Sequence, residues 1–359
     1  MVIMINLDDI EALKQADPGE MLEAVYTLPE QMEQALKIAE NMHLKVDKDR
    51  VKNVVVTGLG GSAIGGDLVR VFAANRLDIP MAVNRDYVLP KYVGQDTLVI
   101  TSSYSGNTEE TLSAYDVAKA KGAQIIAITT GGMLIKKAQA DGHSVIEIPA
   151  GLQPRAAIGL SFVPLVMALA KIGLLNEADI RAQIWEAVAL LKTMRQELSP
   201  SVSEANNLSK QLAKKFYNNY PVIYGVVNTS EVVAQRWKGQ ICENAKAPAH
   251  YNIFPEWNHN ELVGTEYPSD LLKRFQVVML RDKNDHPRIQ KRIDITKDIL
   301  KQVVGGVTEV HSRGDSDIAR IFSLIYIGDY ASVYLALLNG ANPSTVEKID
   351  LLKNKLAQM

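Results

Sequence analysis

The chain has 359 residues, of which 47% are apolar and 22% are charged, and its formal net charge is −2. This length favours two domains, and the composition excludes an intrinsically disordered chain. The near-zero charge excludes a general electrostatic attraction for nucleic acid or an anionic membrane, so any anion must be bound locally.

The single cysteine, Cys242, excludes an internal disulfide framework and a zinc site built from cysteines. It fits a reducing compartment. The first twenty residues carry five acids and a proline, without the basic and apolar regions of a signal peptide. We therefore expect a cytoplasmic protein.

Residues 1–49 are predicted to form a helical leader. A turn at Asp17 and Pro18 precedes a stretch in which apolar residues recur every three or four positions. This pattern predicts two helices ahead of the main domain.

Residues 50–198 are predicted to form the first α/β domain. The stretch NVVVTGLGGSAIGGD reads as a strand, a glycine-rich turn and the start of a helix. Further apolar runs occur in PMAVNRDY, TLVITSS, QIIAITT and SVIEIPA, several of them separated by segments long enough for a crossover helix. The apolar stretch 158–175 contains Pro164 and Lys171, which favours a buried helix over a membrane span. A linker helix ends near Pro200.

Residues 199–340 repeat the same order of strand, polar turn and helix, with strand-like runs in PVIYGVV, FQVVMLRD and VTEVHS. Residues 341–359 are predicted to hold a C-terminal helix. The predicted fold class is therefore α/β, with two doubly wound parallel-sheet domains, a helical leader and a closing helix.

Polar turns follow two strands of the first domain. Ligands of open parallel sheets gather at the carboxyl ends of the strands, where helix amino termini also point. Bare backbone and neutral hydroxyls at both turns would surround a phosphate, and the residues concerned are Gly60, Gly61, Ser62, Ser103, Ser105 and Thr108.

Each turn also has another interpretation. The spacing Gly58-x-Gly60-x-x-Ala63 is compatible with a dinucleotide-binding turn, although that motif alone is weak. A serine-rich turn by itself is more often a helix cap than a ligand site. Two such turns at neighbouring strand ends favour the phosphate site.

The pairing of GLGGSAIGGD with SYSGNTEET resembles the sugar isomerase (SIS) domain, a module that binds phosphosugars. The segments Pro154–Ala157, Glu243–Lys246 and Asn258–Glu261 are similar to those of the bifunctional phosphoglucose/phosphomannose isomerases, and the likeness spans nearly the whole chain. The resemblance implies two sugar isomerase domains in a homodimer, an active site at the domain and subunit boundary, and isomerisation of hexose 6-phosphates through a cis-enediol.

The resemblance also implies four catalytic residues. Glu243 would carry the proton between C1 and C2, and the alternative is a local pairing with Lys246. His259, supplied by the neighbouring subunit, would open the sugar ring. Arg155 would stabilise the enediolate, or else serve as a buried structural cation. Lys353 would assist ring opening, or else lie on a solvated helix face.

His250, Thr345 and Ser344 have less specific roles. His250 is a weaker candidate for ring opening, and a metal site made from His250, His259 and Glu261 is rejected because no compact ligand spacing is present. No cofactor or metal is expected, because proton transfer needs neither. Thr345, or Ser344, matches a threonine that the resembled family associates with mannose 6-phosphate.

Two other functions are compatible with the pattern. A non-catalytic phosphosugar sensor would use the same module, but such proteins usually attach a basic DNA-binding domain, and the leader here is acidic and short. An NAD-dependent dehydrogenase is less favoured. No nucleic acid or membrane partner is expected.

Overall fold

The computed structural model describes residues 5–356 and residue 358. The strands within this range are β1 Asn53–Thr57, β2 Met81–Asn84, β3 Thr97–Ser103, β4 Gln124–Thr129, β5 Ser144–Glu147, β6 Tyr220–Val226, β7 His250–Phe254, β8 Phe275–Arg281 and β9 Gly306–His311. The α-helices are α1 Ile10–Ala16, α2 Met21–Tyr26, α3 Leu28–Glu40, α4 Gly60–Ala73, α5 Glu109–Ala120, α6 Gly132–Ala140, α7 Ile158–Lys171, α8 Glu177–Leu198, α9 Leu208–Phe216, α10 Glu231–Ala245, α11 Trp257–Asn260, α12 Ser269–Leu272, α13 Pro287–Leu300, α14 Asp317–Leu338 and α15 Glu347–Leu356.

The first sheet is parallel, with strand order β2-β1-β3-β4-β5. All seven residues of β3 are buried, as expected for a central strand with helices on both faces. On one face, Val55 and Val99 pack with Tyr115 of α5 and Leu134 of α6. On the other face α4 approaches so closely that a Cβ on Gly66 would lie 2.9 Å from Val56 Cγ1.

The second sheet is also parallel, with strand order β7-β6-β8-β9. In chain order this repeats the first four strands of the first sheet, and the described residues add no fifth strand. Its core contains Tyr224, Phe254, Trp257 and Met279. The predicted fold class, α/β with two parallel sheets, is thereby confirmed.

Two compact units divide the chain. One comprises residues 27–192 and 313–322 and contains the first sheet, whereas the other comprises the remaining described residues and contains the second sheet. The domain boundaries predicted from the sequence, after residues 49, 198 and 340, stay predictions.

The described part of the leader, from residue 5 onward, contains three α-helices where the sequence predicted two. Thr27 separates α2 from α3, and Pro29 occupies the first turn of α3, where its missing amide costs no hydrogen bond. The periodicity of apolar residues runs through this break, so it did not reveal the boundary.

Two long apolar helices are buried. The predicted helix containing Pro164 is confirmed as α7, and Lys171 lies in its last turn. Helix α14 is long and apolar enough to cross a bilayer, but its whole apolar window is buried within the protein. Burial of this kind is typical of a core helix. The predicted linker helix is confirmed as α8, which ends at Leu198, before Pro200.

Candidate active site

The turn between β1 and α4 is made of close backbone contacts. A Cβ on Gly58 would lie 2.7 Å from the Ser102 carbonyl oxygen, and Gly60 has a φ of +52°. Helix α4 begins at Gly60, so its first amides lack carbonyl partners within the helix. Ser62 is buried beside these amides. The turn therefore presents the Gly60 and Gly61 amides together with the Ser62 hydroxyl, whereas the Ser62 amide donates back to the Leu59 carbonyl oxygen at 3.2 Å.

The turn between β3 and α5 is held together by its own hydroxyls. Ser103 Oγ lies 2.9 Å from Thr108 Oγ1 and accepts a hydrogen bond from the Gly106 amide at 3.1 Å. The Asn107 amide donates to Ser105 Oγ at 3.3 Å. Ser103 is buried, whereas Ser105 is exposed. Ser103 thus shapes the turn, and Ser105 presents its hydroxyl at the surface.

The two turns lie side by side because β1 and β3 are neighbouring parallel strands, with Thr57 opposite Thr101. From β1 the chain crosses to β2 on one side, and from β3 it crosses to β4 on the other. The crevice between β1 and β3 is therefore the point where the strand order reverses, which is where ligands bind in such sheets.

Arg155 belongs to a third segment that packs against both turns. It lies in a short 3-10 helix, Pro154–Ala156, and is only 5% exposed. A Cβ on Gly61 would lie 2.6 Å from the Pro154 carbonyl oxygen. On the other side, the Leu152 amide donates to the Tyr104 hydroxyl at 3.0 Å. The fold thus brings Arg155 to the two turns that were predicted to bind phosphate.

Glu243 lies in the last turn of α10, in the unit that contains the second sheet. Lys246 follows in the left-handed conformation, with a φ of +56°. Its Nζ donates to the Glu243 carbonyl oxygen at 2.6 Å and to the Thr345 carbonyl oxygen at 2.7 Å. Lys246 therefore joins the end of the Glu243 helix to the segment that carries Thr345.

Buried polar contacts fix α10 against α14. The Arg236 guanidinium makes a two-point ion pair with Asp329 at 2.6 and 3.0 Å, and Gln240 Nε2 donates to the same carboxylate at 3.0 Å. Asn244 Nδ2 donates to Ser332 Oγ at 2.9 Å. These side chains recur every four residues along one face of α10, and the last of them is adjacent to Glu243.

The comparisons with known proteins cover both halves of the chain. A family model described as bacterial phospho-glucose isomerase C-terminal SIS domain matches residues 205–356, and an SIS domain model matches residues 49–169. A bifunctional phosphoglucose/phosphomannose isomerase of Caldicellulosiruptor bescii is 57% identical over 339 residues, which covers 94% of this chain and 99% of that protein. The chain belongs to the bifunctional phosphoglucose/phosphomannose isomerase family.

More distant members of the family also match along most of their length. The bifunctional phosphoglucose/phosphomannose isomerase of Aquifex aeolicus is 34% identical over 333 residues, covering 90% of this chain and 99% of that one. Among solved structures, a hypothetical protein from Thermus thermophilus superposes with a TM-score of 0.74 at 16% identity, covering 97% of this chain and 93% of that chain. This superposition shows that the Thermus thermophilus protein and this chain share a fold.

His259 and Lys353 are both exposed in this family member. His259 lies on α11, a single helical turn, and Lys353 lies on α15. Val263 and Tyr267, on the segment after His259, are 67% and 83% exposed. Within the described residues, the fold does not gather these two side chains into a buried site.

A group of four side chains meets beside α11. Glu261 accepts hydrogen bonds from the Tyr224 hydroxyl at 2.9 Å and from Asn252 Nδ2, and both of its carboxylate oxygens lie within 3.2 Å of His250 Nε2. The hydrogen bond with Glu261 raises the pKa of His250. Burial works to raise the pKa of Glu261, but these donors outweigh it and lower that pKa.

Several of these residues were missed by reasoning from the sequence. Tyr104 was visible only as part of the serine-rich turn, and its contact with Leu152 spans 48 residues. The strand β7, which carries His250 and Asn252 and lies at the edge of the sheet, was not predicted, although Tyr251 and Ile253 alternate with these polar residues as in a half-buried strand. No local spacing identifies Tyr224 as a partner of Glu261.

Proposed function

We propose that this enzyme interconverts aldose and ketose forms of hexose 6-phosphates, with glucose 6-phosphate, mannose 6-phosphate and fructose 6-phosphate as substrates. The observation that carries the proposal is the pair of hydroxyl- and glycine-rich turns at the strand-reversal point of the first sheet, with the buried Arg155 packed against them. Two further observations support the proposal, namely family membership and the position of Glu243 at the end of α10.

The phosphate would be bound by neutral donors. Six residues take part in this proposal, namely Gly60, Gly61, Ser62, Ser103, Ser105 and Thr108. The first amides of α4 add partial positive charge, which favours a dianion without requiring a lysine at that position. The hydrogen bonds among Ser103, Thr108 and Gly106 preorganise the second turn, so little ordering is needed on binding.

The isomerisation would be a proton transfer along the carbon chain. Glu243 removes a proton from C2 of the aldose, and a cis-enediolate forms as the carbonyl at C1 gains electron density. The proton of the C2 hydroxyl passes to the oxygen on C1, and the same carboxyl group returns its proton to carbon C1, which leaves a hydroxyl on C1 and the carbonyl at C2. The Arg155 guanidinium stabilises the negative charge that develops on the enediolate oxygens. No electron leaves the substrate, so the scheme requires no redox cofactor.

Ring opening must precede proton transfer, since hexose phosphates are mostly cyclic. We assign it to His259, assisted by Lys353, and infer that His259 acts from the partner subunit of a homodimer. The exposure of His259, together with that of Val263 and Tyr267 on the following segment, supports a surface covered by a second copy. The enzyme would then be active only as a dimer.

Acceptance of mannose 6-phosphate is assigned to Thr345, or to Ser344. Both lie immediately before α15, and the Thr345 carbonyl oxygen is bound by Lys246. We also propose a cytoplasmic location, which the single cysteine supports.

A coupled assay with a chelator present tests this function. The purified protein should interconvert fructose, glucose and mannose 6-phosphates, and Glu243→Gln should lower turnover by about 10²- to 10⁴-fold, because one acid–base group is lost. Binding of 6-phosphogluconate should stay within about twofold, since the phosphate turns are unchanged. Glu231→Gln, at the opposite end of α10, is the matched control. Binding without turnover in the wild-type protein would instead support a phosphosugar sensor.

A further inference from the structure

The Glu261 cluster, defined as Tyr224, His250, Asn252 and Glu261, converges on one carboxylate. Tyr224 comes from β6, whereas His250 and Asn252 come from the neighbouring edge strand β7. All three donate to Glu261, which follows α11 directly in the chain. Because the donors lie on two strands of one sheet, the carboxylate is fixed to a rigid part of the fold.

Tyr224 also fixes the start of the same helical turn. Its ring stacks on Trp257 with centroids 4.2 Å apart and an angle of 8° between the planes. Trp257 is fully buried and packs edge-to-face on Phe254 at 5.3 Å. Tyr224 thus contacts both Trp257 and Glu261, which flank residues 258–260. His259 lies between them and is exposed.

The chemistry of the cluster argues against a direct role in catalysis. The Glu261 carboxylate already accepts hydrogen bonds from three side chains, and His250 Nε2 faces that carboxylate. A second proton-transfer group would need an atom facing the substrate, whereas these polar atoms face one another. What the arrangement does supply is a defined direction for the α11 turn.

We propose that Tyr224 and Glu261 are positioning residues that hold the α11 turn so that the His259 imidazole reaches the sugar ring oxygen. This inference rests on the proposed role of His259 in ring opening. The imidazole must lie within hydrogen-bonding distance of both the ring oxygen and the C1 or C2 hydroxyl, and a helical turn that is free to rotate would not keep it there.

Two substrates separate ring opening from proton transfer. Fructose 6-phosphate is mainly a furanose, closed through O5. The analogue 5-deoxyfructose 6-phosphate lacks O5 and carries phosphate on O6, so it has no hydroxyl with which to form a stable ring. Incorporation of solvent deuterium at C1, followed by NMR, reports deprotonation of either substrate by the same base.

The variants are Tyr224→Phe, which keeps the stack on Trp257 and removes one hydrogen bond, and Glu261→Gln, which removes the charge. Glu266→Gln is the matched control, because it makes the same chemical change at an exposed residue of the same segment. His259→Asn is the reference for complete loss of ring opening.

We expect Glu261→Gln to lower kcat/KM for fructose 6-phosphate by about 10- to 100-fold, as misplacement by about 1 Å does. Tyr224→Phe should lower it by about fivefold, through one lost hydrogen bond to a charged group. Both variants should react with the 5-deoxy analogue within about twofold of the wild-type rate, and so should the control with both substrates.

Equal losses on both substrates would overturn the proposal, since they would indicate a general structural defect. Unchanged rates on both substrates would overturn it as well. If His259→Asn loses both reactions equally, the assignment of ring opening to His259 fails, and the positioning role fails with it. That result is distinct from an inactive wild-type protein, which would refute the isomerase function itself.

Discussion

The two parallel sheets share a strand order, but different side chains line the crevice at which that order reverses. In the first sheet, the crevice between β1 and β3 is lined by glycines and hydroxyls. In the second, the corresponding crevice between β6 and β8 contains the buried carboxylate of Asp285, which accepts hydrogen bonds from Thr229 Oγ1 at 2.7 Å and from the Asp282 amide at 2.9 Å. An acid at that position excludes a phosphate by charge.

In the proposed mechanism, the two units use opposite ends of their corresponding helices. The proposed phosphate donors of the first unit lie at the start of α4, whereas the proposed base of the second unit, Glu243, lies in the last turn of α10. The start of α10 is used internally instead, because Ser230 Oγ accepts a hydrogen bond from the Val226 amide at 3.0 Å. On the proposed assignment, the repeated fold keeps its strand order while the location of its chemistry differs.

The largest expected effect is a loss of stability when the buried ion pair that fixes α10 against α14 is broken. Asp329→Asn would leave the Arg236 guanidinium buried without its counter-charge, and loss of one partner of a buried ion pair costs about 3–5 kcal/mol. Urea unfolding followed by tryptophan fluorescence reports this, because Trp237 and Trp257 are both buried in this unit. Asp298→Asn, at an exposed ion pair of the same unit, should change the midpoint little. Equal shifts in the two variants would contradict the prediction.

Substitution of glycine by alanine should act oppositely in the two units. Gly61→Ala would place a Cβ 2.6 Å from the Pro154 carbonyl oxygen, and overpacking of this kind costs about 1–3 kcal/mol, so 6-phosphogluconate should bind less tightly. Gly239→Ala, inside α10 and with nothing within 4 Å, should leave binding unchanged and stabilise the protein by about 0.5–1 kcal/mol. Calorimetric titration and thermal unfolding measure both. If Gly61→Ala bound 6-phosphogluconate as tightly as the wild type, the phosphate would have to bind at another place.

Removal of hydroxyls tests the two crevices directly. Ser105→Ala and Thr108→Ala should each weaken 6-phosphogluconate binding by about 1 kcal/mol or more, because a hydrogen bond to a charged group is lost. Thr229→Val, at the corresponding crevice of the second sheet, should not affect binding. A loss with Thr229→Val that matches the other two would show that the crevices do not differ in function.

The smallest effect is a dependence of stability on pH. The pKa of His250 is raised above its ordinary value of 6.5, so its pairing with Glu261 stabilises fully below that pH and is lost as pH rises through the folded-state pKa. The lowered pKa of Glu261 means that its contribution is present above 4.5 and lost as pH falls through the folded-state value. Lys238 on α10 opposes the charge on His250, and Asn252 faces the same carboxylate.

The free energy of unfolding should therefore differ most between the wild type and His250→Gln at pH values between these two limits. The difference should stay below about 1 kcal/mol, because His250 is 44% exposed. Urea unfolding at several pH values measures it, with the exposed His43→Gln as the control. A difference that grows toward high pH would contradict the assignment of the pair.

Features encoded by neighbouring residues could be predicted from the sequence alone. The β-branched runs identified β1, β3 and β4, the glycine and serine turns predicted a phosphate site, and the segments around Arg155, Glu243 and His259 identified the family. The residues that make up each feature lie within a few positions of one another, so local spacing along the chain is enough to recognise each feature.

Contacts between residues far apart in the chain became visible only in the folded protein. Lys246 binds the carbonyl oxygen of Thr345, which is 99 residues away, and Tyr224 reaches Glu261 across 37 residues. The acid that fills the second crevice, Asp285, is another example, because its partner Thr229 lies on a different loop. Such contacts depend on strand register and on the direction of each side chain, and the periodicity of hydrophobic residues specifies neither.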